Sequence, residues 1–160
     1  MSNGPTVKRH RSKQDYSTPD DFMQAVRGRF GPIGFDLAAH AQNAKCMHYF
    51  TEEQNSLLQQ WNTIRCSFNG WLWLNPPFDN IEPWAKKCAE EMALGARILF
   101  LTPASIGSNW FARHVNGKAV VLSLQGRMSF DGIAPYPKDC MLSVFAHGLH
   151  GFNVWKWGAA

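Results

Sequence analysis

Trp71-Leu72-Trp73-Leu74-Asn75-Pro76-Pro77-Phe78 decides how this chain is read. The first four residues are an unbroken apolar run, which fits a strand buried on both faces of a parallel sheet. Two prolines follow; they lack an N–H and fix their own φ, so the strand leads into a stiff turn. In such a turn the Asn75 side-chain oxygen and a neighbouring backbone carbonyl can converge on one point. Two acceptors at one point can hold both hydrogens of an exocyclic NH2 group. Phe78 adds a flat face for the ring that carries that group. The chemistry implied is transfer to an amino nitrogen of a base, at the carboxyl end of a strand, where α/β sheets bind ligands.

Upstream, Ser17-Thr18-Pro19-Asp20-Asp21 has a hydroxyl cap, a first-turn Pro and two acids, the marks of a helix start. Phe22, Met23, Val26 and Phe30 give that helix its apolar face, and Gly31-Pro32 ends it. Residues 33–39 read as a short strand running into small residues. Residues 46–50 read as a weaker strand, and residues 52–61 as a helix with Leu57, Leu58 and Trp61 on its apolar side. Downstream, Ile81, Trp84, Ala85, Cys88 and Met92 recur at helical spacing between charged residues, which predicts an amphipathic helix covering the sheet. Residues 97–101 and 119–124 read as strands, with a short helix over 108–115 between them. Residues 125–138, rich in Gly and Pro, read as a loop, and residues 141–146 as a late strand. No helix precedes that strand, so it should run antiparallel to its neighbour. The expected fold class is α/β, a mostly parallel sheet with a late antiparallel strand.

At 160 residues the chain is long enough for one domain with a sizeable core. Lys8, Arg9, Arg11 and Lys13 against Asp15 carry three of the four net positive charges, leaving the body nearly neutral. Residues 1–14 are polar, basic and without apolar period, and are expected to be a disordered tail ahead of a single domain over 15–160. Such a tail suits phosphate contacts or plain solvation equally. Cys46, Cys66, Cys88 and Cys140 are widely spaced with no Cys-x-x-Cys pair, so reduced thiols in a cytoplasmic protein are expected, with no metal site. No signal peptide and no 18-residue apolar run is present, and no membrane partner is expected. His10, His114, His147 and His150 have no evident catalytic partner, and Trp155-Lys156-Trp157 suits packing or a partner contact. Nothing in the residues sets an oligomeric state.

The ordered set Thr18-Pro19, Phe35-Asp36-Leu37-Ala38-Ala39, Asn43-Ala44-Lys45-Cys46, Tyr49-Phe50-Thr51, Trp73-Leu74-Asn75-Pro76-Pro77-Phe78, Trp84, Pro103, Trp110-Phe111 and Gly126-Arg127-x-x-Phe130 resembles the small phage-type DNA N6-adenine methyltransferases, a Dam-like family. The resemblance covers roughly residues 16–146. It implies a Rossmann-like S-adenosyl-L-methionine methyltransferase sheet and site-specific methylation of a flipped adenine in double-stranded DNA. It implies Asn75, Pro76, Pro77 and Phe78 as the catalytic tetrapeptide. It places Thr18, Pro19, Asp36 and Ala38 beside the cofactor, and Arg127, Phe130 and Trp110 toward DNA. Shielding of phage DNA from host restriction is the role it suggests. The same motif chemistry would also serve cytosine N4, an RNA base or a protein glutamine amide, and a non-catalytic DNA-binding relic of the fold is a rival of another class.

The chain also departs from that pattern. Ala38-Ala39-His40-Ala41 stands where a Gly-x-Gly loop is usual, and only 38 residues separate Asp36 from Asn75. This predicts a missing helix or strand, or an altered sheet order, between the two.

Overall fold

A computed structural model describes residues 17–64, 70–130 and 134–158. The expected tail over 1–14 and Cys66 lie outside these residues. Helix α1 (Asp20–Phe30) buries Phe22, Met23 and Val26, with two acids in its first turn and Arg27 and Arg29 in its last, matching the helix dipole. Gly31, at φ 95°, ends it in a conformation that side-chain-bearing residues rarely adopt. Strands β1 (Ile33–Asp36), β2 (Trp71–Leu74), β3 (Ile98–Pro103), β4 (Val120–Leu124), β5 (Cys140–Phe145) and β6 (Gly151–Trp155) form one sheet in the order β1-β2-β3-β5-β4-β6. The pairs β1–β2, β2–β3 and β4–β6 are parallel, and β5 runs antiparallel to both β3 and β4.

Side-chain alternation on β2 divides the core. Trp71 and Trp73 face α1, where Trp71 meets Phe30 at 5.7 Å and Trp73 meets Phe22 at 6.4 Å. Leu72 and Leu74 face the other way, against Ala85 and Cys88 of helix α2 (Glu82–Ala93). All four residues are buried, as the continuous apolar run requires. Gly70 lets the start of β2 approach β1 closely, because a Cβ there would sit 2.7 Å from the Gly34 nitrogen. The short helix α3 (Asn109–His114) is capped by the Ser108 hydroxyl, which accepts from the Phe111 N–H.

Four expectations change. Residues 52–61 hold no α-helix; two 3-10 turns, Ser56–Leu58 and Trp61–Thr63, stand there instead. Asn55 takes φ 47°, which interrupts the helical path, and Leu58 is exposed, so its apolar spacing marks no buried face. Residues 46–50 make only one isolated parallel bridge, Tyr49 to Asp36. Helix α1 has Pro19 at its N-cap and no side-chain cap, since the Thr18 hydroxyl bonds elsewhere. Finally, the chain continues past β5 into β6, an edge strand whose Phe152 and Val154 face solvent at 61% and 62% exposure. Its apolar alternation is therefore not a core signature. The 125–138 loop and the short α3 lie where expected, although residues 131–133 are outside the described set.

Candidate active site

The site begins with the way β1 ends. Leu37 N–H donates to the Trp73 carbonyl at 2.8 Å, and Ala39 N–H donates to the Phe50 carbonyl at 3.0 Å. Phe50 N–H returns a bond to the Asp36 carbonyl at 3.0 Å. The single bridge at Tyr49 thus becomes a small three-stranded knot beside the carboxyl ends of β1 and β2. A cleft of about 540 Å³ opens over it, within the roughly 300–1,000 Å³ span of small-molecule sites. Its apolar walls are Leu37, Phe50 and Trp84, its carboxylates Glu52 and Asp79, and its far side Asn75 and Pro77.

Asp36 lies beneath the cleft rather than in its wall. It is 2% exposed, and its carboxylate accepts from the N–H groups of Ala38 at 3.2 Å and Lys45 at 3.0 Å. Burial pushes its pKa up to about 6, partly offset by those two N–H donors and by the Lys45 charge. Lys45 in turn reaches the Ser17 hydroxyl at 3.2 Å and Asp20 at 3.6 Å. Asp36 therefore ties the two ends of residues 38–45 together, and Ala38, Ala39, His40 and Asn43 of that stretch line the cleft.

The tetrapeptide follows β2 directly. Asn75 is half-buried and its Nδ2 donates to Thr18 Oγ1 at 2.9 Å. Pro76 is buried and Pro77 exposed. Phe78 is half-buried and meets Phe130 and Tyr136 edge-on, with centroids 6.1 and 5.9 Å apart. Phe130 and Tyr136 meet each other at 5.4 Å and 89°. The apolar wall at Trp84 is also braced: Trp84 stacks on buried Trp61, whose Nε1 donates to the Ser56 carbonyl at 2.9 Å.

The residues expected near DNA separate into different environments. Arg127 is 55% exposed, with Nε 3.7 Å from an Asp139 carboxylate oxygen. Phe130 is 5% exposed, so it supports Phe78 and offers no surface for a phosphate. Trp110 is half-buried and lies edge-on to Phe111. His114 Nε2 stands 3.4 Å from Glu82 on the α2–α3 side, away from the cleft. Trp155 and Trp157 pack on Phe22 at 5.8 and 5.1 Å. Among the described residues no group of three His, Cys, Asp or Glu side chains could hold a metal ion. No described helix is long and apolar enough to cross a membrane. Burial pushes the Cys140 thiol up to about 12.

The profile of the family described as DNA N-6-adenine-methyltransferase (Dam) matches residues 6–141. The chain belongs to that family. A DNA N-6-adenine-methyltransferase of Escherichia phage T1 is 28% identical over 116 residues, 72% of this chain and 47% of the relative. A DNA N-6-adenine-methyltransferase of Haemophilus phage HP1 is 29% identical over 102 residues, 61% of this chain and 56% of the relative. The chain thus spans about half the length of these phage relatives. Within this Dam-family chain, the cleft draws on Phe50, Glu52 and Trp84, which sequence reasoning did not single out as site residues. Phe50 and Glu52 read as parts of a strand and a helix, and Trp84 as part of the amphipathic helix; Phe50 and Trp84 also stand in the family pattern.

Proposed function

We propose that this chain transfers a methyl group from S-adenosyl-L-methionine to the N6 amino nitrogen of adenine in double-stranded DNA. The observation that carries the reading is Asn75-Pro76-Pro77-Phe78 at the carboxyl end of β2, with Asn75 and Pro77 lining a cleft in a Dam-family chain. The sheet is taken as an abbreviated Rossmann-like methyltransferase sheet within one domain over residues 15–160. Its parallel β1–β2–β3 half, with a ligand cleft at the strand ends, supports that assignment. A cytoplasmic location follows from a DNA substrate.

The cleft suits the cofactor by its chemistry. Phe50 and Trp84 offer flat walls for a purine, and Glu52 offers a carboxylate to accept from a sugar diol. Small Ala38 and Ala39 let backbone approach the remaining amino-acid moiety. When bound, S-adenosyl-L-methionine supplies an electrophilic methyl group on a sulfonium.

The chain's own residues position the acceptor. Adenine must leave the base stack to reach a buried cleft, because its amino group is paired and stacked in the duplex. Phe78 stacks on the adenine ring, held at its edge by Phe130 and Tyr136. The Asn75 side-chain oxygen and the Pro76 carbonyl accept the two N6 hydrogens. Those bonds draw the nitrogen lone pair out of ring conjugation and aim it for an in-line displacement. Asn75 is no base, so proton loss follows methyl transfer. Arg127, Lys138 and Lys156 follow β4, precede antiparallel β5 and follow β6 respectively. All three therefore sit at the motif's end of the sheet, where phosphates would pass.

Mass spectrometry of nucleosides from duplex DNA incubated with the protein and S-adenosyl-L-methionine tests the proposal. N6-methyladenine that disappears with Asn75→Ala, with cofactor binding retained, supports it. Cofactor binding without any methylated adenine would redirect it to another amine, and absence of cofactor binding would leave a DNA-binding relic.

A further inference from the structure

The connections at the motif's end of the sheet stand in a fixed order. The cleft opens at the ends of β1 and β2, and the motif leaves β2. The turn after β3 comes next, then Lys138 before β5, Arg127 after β4 and Lys156 after β6. A duplex held by those three cations lies on the β3–β6 side of the motif. An adenine swung from it into the cleft therefore crosses the end of β3. The turn there is Ser105-Ile106-Gly107-Ser108, closed by the Ser108 N–H donating to the Ser105 carbonyl at 3.0 Å. Serine and glycine are ordinary turn residues, whereas a β-branched apolar residue is not. Ile106 nonetheless heads this turn, 58% exposed.

We infer that Ile106 is a wedge: it enters the base stack where the flipped adenine leaves and keeps that gap filled. Its role rests on the proposed methyl transfer to a flipped base. The strand register sets its reach. Leu74 pairs with Phe100, so Asn75 follows at the level of Leu101. β3 runs on to Pro103, and Ala104 N–H extends the ladder by donating to the Asp139 carbonyl at 2.8 Å. Ala104 thus stands three residues beyond that level, roughly 10 Å past the head of the motif. The turn it leads into is stiff. Ser105 N–H donates to the Pro103 carbonyl at 2.8 Å, and Ile106 N–H to the Ala104 carbonyl at 2.9 Å. The Ser108 hydroxyl donates to the Ser105 carbonyl at 2.7 Å. Ala104, Trp110 and Phe111 on either side of the turn pack on the core. A side chain carried this way loses little freedom on insertion. The other exposed large apolar residues among those described stand elsewhere. Leu94 and Leu149 lie at the opposite end of the sheet, Phe152 and Val154 along β6, and Met47 and Leu58 between β1 and β2. Apolar wedges are a general means of unstacking a duplex, and burying the isoleucine offsets part of the unstacking cost.

Flipping costs least where the target base is mispaired, so paired and mispaired substrates separate a wedge from other roles. The full chain is given a duplex that the wild type methylates, and the same duplex with cytosine opposite the target adenine. Ile106→Ala should lower kcat/KM about tenfold on the paired duplex and about twofold or less on the mispaired one. Ile106→Met keeps a long apolar side chain and should restore most of the loss, while Ile106→Ser should behave as Ile106→Ala. The S-adenosyl-L-methionine Kd by calorimetry and the urea unfolding midpoint should stay at wild-type values, because Ile106 is exposed and outside the cleft lining. Unchanged kcat/KM on the paired duplex, or equal losses on both duplexes, would overturn the wedge and leave the methyl transfer standing. A lowered unfolding midpoint with the same loss on both would replace it by a structural role. A wild-type chain that binds S-adenosyl-L-methionine but methylates no adenine would overturn the underlying reading, and the wedge with it.

Discussion

Trp84 lies stacked on Trp61, with ring centroids 6.4 Å apart and planes 19° from parallel. The first ring faces the cleft and the second is fully buried, so the wall is a surface layer on a core layer. Lys87 extends the stack, its Nζ 5.1 Å from the Trp61 ring centre. Glu91 ties Lys87 at 2.9 Å and the Asn62 N–H at 2.7 Å, fastening the turn that carries Trp61 to α2.

Trp84→Ala and Trp61→Ala should therefore separate. Losing the Trp84 face should weaken S-adenosyl-L-methionine binding about tenfold, at the upper end of an aromatic stacking contact. The effect on folding should be small, because Trp84 is only half-buried. Trp61→Ala removes a filled core position and should cost about 3–5 kcal/mol of stability. Calorimetric titration and urea unfolding of both variants check the split; equal stability losses would contradict it.

Phe130 should act through Phe78. Phe130→Leu keeps an apolar side chain in the core but loses the edge-on ring contacts at 6.1 and 5.4 Å. Loss of about 1 kcal/mol per ring pair would leave Phe78 less confined. The expected result is a several-fold lower kcat with unchanged cofactor affinity, read by single-turnover methylation. Retained kcat would show that Phe78 needs no support from the 125–138 loop.

Asp36 should give the fold a pH dependence of unusual sign. Its pKa is raised from 3.8 to about 6, so the folded chain holds a proton that the unfolded chain releases between those values. By linkage, this group's contribution to stability is greatest below about 4 and is lost as pH rises through about 6. A shift of about two pH units corresponds to a change of about 3 kcal/mol from this one group. Asp36→Asn should flatten that part of the profile in urea titrations between about pH 4 and 7. An unchanged slope would show that the carboxylate is better solvated than its 2% exposure implies.

Arg127 is expected to make a phosphate contact rather than read a base. Arg127→Gln should weaken duplex binding by a similar factor on all sequences and reduce the slope of log affinity against log salt by about 1. Its 3.7 Å separation from Asp139 is too long and too exposed to hold it back. Fluorescence anisotropy across a salt series tests this; a sequence-selective loss would make it a base contact.

Much of this was legible in the chain. The uninterrupted apolar run of β2 and the spacing of Ile81, Ala85 and Cys88 are strong signals, because the first is buried on both faces and the second on one. The prolines of the motif mark their own turn. Other features depend on contacts that no local pattern contains. Leu57, Leu58 and Trp61 suggest a helix, but Trp61 is satisfied by the Ser56 carbonyl and Leu58 points to water. The cleft gathers Leu37, Phe50, Glu52, Asn75 and Trp84 from separate segments. Thr18 carries the sequence of a helix cap, and its real partner lies 57 residues further along the chain.

The position of β5 between β3 and β4 also bears on how the protein is made. Both strand partners of β4 come after it in the chain, so its Val120-Val121-Leu122-Ser123-Leu124 stretch has no neighbour to pair with until β5, which starts at Cys140, and β6 leave the ribosome. The β1–β2–β3 half, which bears the motif, can assemble earlier, as nascent chains tend to order from the N-terminus. The family match closes at residue 141, the second residue of β5. A fragment trimmed to that boundary would keep every motif residue, yet expose the inner edge of β3 and both edges of β4, and should precipitate rather than fold.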